Sequence, residues 1–156
     1  MGFRQDGLMN EWWIEVYGDP CRECDFNWSQ SPTGVVASVE ELPSLFDAVL
    51  AGTSGRQRHP ELSWSAKAYV FHVADNLRIW AERLEGIRSG APPQVAAYDE
   101  NHLASVRRYE EMPVEAALWS VRTAAAAWSE AMRAAIQSGT VVDHPERGEL
   151  TASEVV

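Results

Sequence analysis

One run of apolar residues constrains the fold of this 156-residue chain more than any other feature. Val114, Leu118, Val121, Ala125, Trp128, Met132 and Ala135 alternate steps of four and three without a slip, the spacing that lines one face of an α-helix. Pro113 supplies a start and Gly139 a stop, so the spacing predicts one long helix between them. The alanines from Ala124 to Ala127 favour helix locally and permit close approach of a neighbour. A helix apolar on one face must bury it against other elements.

Two further stripes of the same period supply those elements. Val35, Val39, Leu42, Phe46 and Val49 follow Ser31 and Pro32, which read as N-cap and first helical residue. Pro43 predicts a kink or a split, although the stripe keeps phase across it, and Gly52 with Gly55 closes the segment. From Ser65 onward Val70, Val73, Leu77, Trp80, Leu84 and Ile87 form the next stripe. Ala68, Phe71 and Ile79 fall outside it, so this helix is expected to sit against two neighbours.

The connections are equally informative. Gly90 to Ala97, with Pro92 and Pro93, reads as a linker of about eight residues that spans up to roughly 28 Å, enough to cross a bundle. Asp99 is expected to cap a short helix through Glu110, and Thr140 to Leu150 reads as a loop. Thr151 and Glu154 form a T-x-x-E capping box that opens a fourth helix, of which the chain carries about five residues. The fold class expected is all-α, a four-helix bundle with a long crossover and an incomplete fourth helix.

Residues 1–29 show no sustained helical period. Trp12, Trp13, Ile14, Val16 and Tyr17 suit a short strand or apolar arm that Gly18, Asp19 and Pro20 end. The division expected is an N-terminal arm over 1–29, carrying a CxxC, and a bundle over 30–156, together one domain.

Charge narrows the function. Thirteen Lys and Arg against 23 Asp and Glu leave a formal charge of -10, which repels nucleic acid and anionic lipid. No apolar run approaches the roughly 20 residues of a membrane span, and the N-terminus lacks a secretory pattern, so a cytoplasmic location is expected. There Cys21 and Cys24 stay mostly reduced. Their spacing suits a zinc half-site, a redox pair or a structural role, and no second CxxC or HxxxH completes four ligands. Glycine-rich phosphate loops and G-x-S-x-G elbows are absent from the sequence.

His72 lies midway along the second stripe helix, with Asp75 and Asn76 three and four residues on. One reading is a core histidine hydrogen-bonded to Asp75. The other is a metal ligand oriented by Asp75 or Asn76 behind it. His59 and His144 precede Pro-Glu pairs in loops, and His102 lies in a short helix, where surface or packing roles are expected.

The run YGDPCRECDFNW, the segment WSAKAYVFHVADNLRIWAERL, the YDEN before the third long helix and the HPERGELT near the end together resemble the DinB-like superfamily of metalloenzymes. The likeness is greatest to an actinobacterial subgroup and runs from about Trp12 to the last residue. That superfamily includes mycothiol-dependent maleylpyruvate isomerase and related thiol S-transferases. The resemblance implies a four-helix bundle with a crossover after its second helix. It implies too a divalent metal, zinc or nickel, held by one histidine on the second helix and two more, spaced HxxxH, on the fourth. His72 matches the first ligand, and residues matching the other two do not occur before Val156. The function implied is a metal-dependent thiol S-transferase or isomerase in complete form, acting with a low-molecular-weight thiol. This chain alone is expected to be metal-free and inactive. The alternative is a non-catalytic binding or assembly module that uses its open groove, and the partner expected is a second copy or a chain supplying a helix.

Overall fold

Serine side chains open the first two long helices as the sequence predicts. Ser31 accepts from the amide of Gly34 ahead of α1 (Pro32–Leu50), and Ser65 accepts from Ala68 ahead of α2 (Ala66–Arg88). The structure is a computed structural model that describes residues 14–23, 25–145 and 147–155. It continues with α3 (Glu100–Val106), α4 (Val114–Ser138), β1 (Val141–His144), β2 (Gly148–Thr151) and α5 (Ala152–Val155). The chain is mostly helical, with one two-stranded sheet among the described residues. Among the same residues, no helix is long and apolar enough to cross a membrane.

The long stripe that dominates the sequence forms α4, which is the central element. Val114, Val121, Ala125, Trp128, Met132 and Ala135 are all buried, and Leu118 packs at the edge of the core. Gly139 ends the helix at φ +65°, where its amide and that of Thr140 bond back to Ile136 and Ala135. Both α1 and α2 pack on α4, while α1 and α2 make little direct contact with each other. The ion pairs Glu40–Arg133 at 2.6 Å and Asp47–Arg122 at 2.7 Å run in opposite chain order, so α1 is antiparallel to α4.

α2 runs parallel to α4. At their starts the Lys67 ammonium donates to the carbonyls of Glu110 and Met112 at 2.8 and 2.6 Å. At the far end the Trp80 ring stacks on His144, which follows α4. Parallel neighbours need a long return connection, and the residues between them, including α3, supply it.

Four expectations need correction. Pro43 does not split α1, which is one helix, and its buried line is Val36 and Leu50, with Val49 74% exposed. Burial of Val36 and Leu50 against the core sets that rotation of the helix about its axis, and the exposed ion pairs with α4 are compatible with it. α3 stops at Val106, because Arg108 turns to φ +56° and the amides of Arg108 and Tyr109 close the helix on Ser105 and Ala104. That reversal sends Tyr109 back into the core, where it is 1% exposed.

The region Thr140 to Leu150 contains an antiparallel hairpin, with Val142 opposite Leu150 and His144 opposite Gly148. Its two adjacent β-branched valines favour strand, and burying Val142 against the core fixes the register. The crossover joins it: the Val95 amide donates to Asp143 at 3.1 Å and the Asp143 amide donates to Pro93 at 2.9 Å. In the arm, residues 14–17 are helical, so Ile14, Val16 and Tyr17 do not form a strand. Gly18 closes that turn on the Ile14 carbonyl at 2.7 Å. Trp12, Trp13 and Cys24 lie outside the described residues.

At the other end of the chain the Glu154 half of the capping box forms. The Thr151 amide and hydroxyl both donate to one Glu154 carboxylate oxygen at 2.7 Å, and α5 begins at Ala152, which is buried.

Candidate functional site

Helical spacing puts His72, Asn76 and Arg83 on one face of α2, with Asp75 turned further toward α3. The structure gives each of these side chains a different environment. The His72 ring is half-buried beside Trp64, their centroids 5.2 Å apart. It makes no hydrogen bond with any described residue. Trp64 also touches Tyr69 at 5.2 Å and meets Tyr109 edge-on at 6.3 Å. The imidazole therefore sits at the margin of an aromatic cluster.

Asp75 is 2% exposed and bonds elsewhere. It accepts the hydroxyl of Tyr109 and pairs with Arg107 at 3.0 Å and Arg78 at 3.4 Å. A buried carboxylate is tolerated only when its lone pairs are occupied in this way. Phe71 stacks on the Tyr109 ring at 5.4 Å and closes the site from one side. Burial first, then the bond to Asp75, raises the pKa of the Tyr109 phenol above its usual range, and only Arg107 opposes the shift.

Asn76 donates to the Tyr98 hydroxyl at 3.1 Å. Neither Asp75 nor Asn76 orients His72, so the arrangement expected for a ligand and its supporting carboxylate is not formed by these three residues. Arg83 lies over Trp80 at 5.0 Å and near the Tyr98 ring at 6.0 Å, and it donates to the carbonyl of Ala96. Burial lowers its pKa.

Glu110 closes the other end of this region. Its carboxylate accepts from the Ser65 amide at 2.9 Å and from Arg58 at 3.0 Å. Burial works to raise its pKa, but the Ser65 amide and hydroxyl, Arg58 and Lys67 outweigh burial and hold it below the usual value. A cleft of about 280 Å³ opens beside it, with Trp64, Ala68 and Ala104 on its apolar side and Asn101, Arg108 and Glu111 on its polar side.

Other residues proposed from the sequence are scattered. Cys21 is buried in the arm, where its amide donates to Phe26 at 2.7 Å and its carbonyl accepts from Asp25 at 2.8 Å. The imidazole of His59 accepts from the Glu61 amide at 3.3 Å, and His102 is exposed. Among the described residues, no three His, Cys, Asp or Glu side chains come together to hold a metal.

Sequence reasoning missed Tyr109, Arg107, Tyr98 and Arg83. Tyr109 reaches Asp75 across 34 residues, and no local periodicity announces such a pair. Arg83 carried a weak signal, since helical spacing sets it on the face of His72 and Asn76. The chain matches no family model, no curated protein and no solved structure.

Proposed function

We propose that this chain is a DinB-like bundle built on the plan of metal-dependent thiol S-transferases and isomerases, with His72 as one metal ligand. By itself it holds no divalent metal tightly. The observation that supports the reading is the His72 ring, half-buried beside Trp64 and without a hydrogen bond to a described residue, while Asp75 and Asn76 serve other partners. No described residue engages either ring nitrogen, which suits a ligand role. The parallel α2 and α4, joined by a long crossover, are also what a DinB-like bundle requires.

One imidazole falls short of the three protein ligands of an open catalytic site, so His72 alone does not constitute a metal centre. The cysteines do not repair this: Cys21 belongs to the arm, and Cys24 lies outside the described residues. The test is metal analysis and calorimetry with zinc and nickel on this chain, with and without His72→Ala. The same measurements follow on a version extended after Val156 by a helix carrying HxxxH. Tight binding is expected only in the extended chain, and only with His72 present. Tight, His72-dependent binding by the 156-residue chain overturns the proposal, as does failure of the extended chain to bind.

A second reading has an observation of its own. α1 and α2 pack on α4 and scarcely on each other, and Val35, Val39, Phe46 and Val73 stay only half-buried at the core margin, as residues beside an open groove would. A non-catalytic binding or assembly module would use that groove for a second copy or a partner helix. Light scattering with a hydrophobic dye separates the cases: a monodisperse monomer that binds no dye counts against the module.

A further inference from the structure

Arg83 differs from the other arginines of the long helices. Arg78, Arg88, Arg122 and Arg133 each pair with a carboxylate. No ion pair joins Arg83 to a carboxylate among the described residues, in a chain with ten more acidic than basic side chains. Its guanidinium is held by Trp80 and Tyr98 and donates to the Ala96 carbonyl, which uses only part of its five N–H donors. The ring of His144 also lies nearly parallel to the indole of Trp80, with centroids 6.4 Å apart, and helps to hold it.

Tyr98 adds a second spare donor. Its hydroxyl accepts from Asn76 at 3.1 Å and donates to no described residue. Asn76 thereby directs a lone pair of that oxygen toward α2 and leaves the hydroxyl proton for another acceptor. A guanidinium with donors left beyond its bond to Ala96, and a phenolic proton that no described residue accepts, flanked by aromatic rings, suit a planar anion that accepts several hydrogen bonds at once.

We propose that Arg83 and the Tyr98 hydroxyl form a subsite for the carboxylate group of a small-molecule ligand, with Trp80 and Asn76 holding the two donors in position. The subsite goes beyond the metal reading and stands without a metal, so the two fail separately: carboxylate binding is measured on metal-free protein. It narrows the ligand to a carboxylic acid.

The test is a nuclear magnetic resonance titration of the full, metal-free chain with sodium acetate and sodium benzoate against sodium chloride at matched ionic strength. The Trp80 indole N–H and the Arg83 Nε–H signals report binding. Saturable shifts are expected with both carboxylates and not with chloride. Arg83→Gln and Arg83→Lys should each weaken binding by roughly tenfold, since lysine lacks the planar fork. Tyr98→Phe should weaken it less, and the ion-paired Arg122→Gln should leave it unchanged. Absence of saturable shifts, an equal response to chloride, or unaltered affinity in Arg83→Gln overturns the proposal. A purely structural Arg83 would lower stability when replaced, with no carboxylate binding to lose. If Arg83→Gln fails to fold by circular dichroism, Tyr98→Phe decides, and unchanged affinity there is equally fatal.

Discussion

Tyr109 donates its hydroxyl to Asp75 on α2, 34 residues earlier in the chain, and both side chains are almost fully buried. The bond ties the end of the crossover to the helix that carries His72. Asp75→Ala leaves the Tyr109 hydroxyl and two arginines without their shared acceptor and should cost about 3–5 kcal/mol. Tyr109→Phe removes one donor and leaves Asp75 paired with Arg107 and Arg78, so roughly 1.5–3 kcal/mol is expected. Urea unfolding of both variants and of the double variant measures the coupling. Additive losses would show that the two residues do not act together.

Stability should fall at both extremes of pH through residues of this region. The unfolded chain releases a tyrosine proton near pH ~10, whereas folded Tyr109 keeps it to higher pH. The stability linked to Tyr109 is therefore complete below that pH and is lost as the pH rises beyond it. Glu110 has the opposite sign: its depressed pKa contributes stability above the usual carboxylate value, lost as the pH falls through the folded one. The Glu110 side chain is 42% exposed, so solvent screening limits that contribution to under about 1 kcal/mol. Unfolding midpoints across the pH range should show the alkaline decline weakened in Tyr109→Phe and the acid decline weakened in Glu110→Gln.

Two glycines separate backbone strain from crowding. Gly52 and Gly55 have nearly the same φ, +68° and +66°, so alanine meets a similar backbone penalty at each, about 1–2 kcal/mol. At Gly52 the added methyl meets nothing within 4 Å, whereas at Gly55 it would lie 2.7 Å from Lys67 Cβ and 3.1 Å from Val114 Cγ2. Gly55→Ala should cost roughly 1–3 kcal/mol more than Gly52→Ala. Equal losses would mean that the starts of α2 and α4 are not closely packed.

Trp128 is 6% exposed on the core face of α4. Trp128→Ala should cost about 3–5 kcal/mol in denaturant unfolding, from lost burial and the cavity left behind. A loss under roughly 1 kcal/mol would contradict the packing of α4.

The elements legible in the sequence are those whose signals are local. The four-three alternation from Val114 to Ala135, the serine caps at Ser31 and Ser65, and the Thr151 to Glu154 box all act within a few residues, and the structure carries each of them. The hairpin escaped because its third partner, the Val95 segment, lies nearly fifty residues before β1, and two valines alone do not announce a strand. Val49 fitted the stripe of α1 and is exposed, because α1 buries the side that carries Val36 and Leu50 instead. His72 was legible as a residue to examine. Its surroundings were not, since Trp64 lies outside α2 and, apart from Arg78, the partners of Asp75 and Asn76 come from the crossover on either side of the short α3.

The parallel course of α2 and α4 has an electrostatic consequence. Peptide dipoles in each helix sum to a partial positive charge at its N-terminus, and two parallel helices bring those like ends to the same side of the molecule. Their mutual repulsion needs a counter-charge between them. Glu110 occupies that place: it accepts the amide of Ser65 at the start of α2 and precedes the first residue of α4 by four positions. A carboxylate there acts as a counterion at the start of α2, where the Ser65 amide and hydroxyl, Arg58 and Lys67 together hold its pKa down. Reversing this one charge with lysine would set a further cation beside Arg58 and Lys67 at that end of the molecule, and the crossover, rather than the core, is where the chain should first come apart.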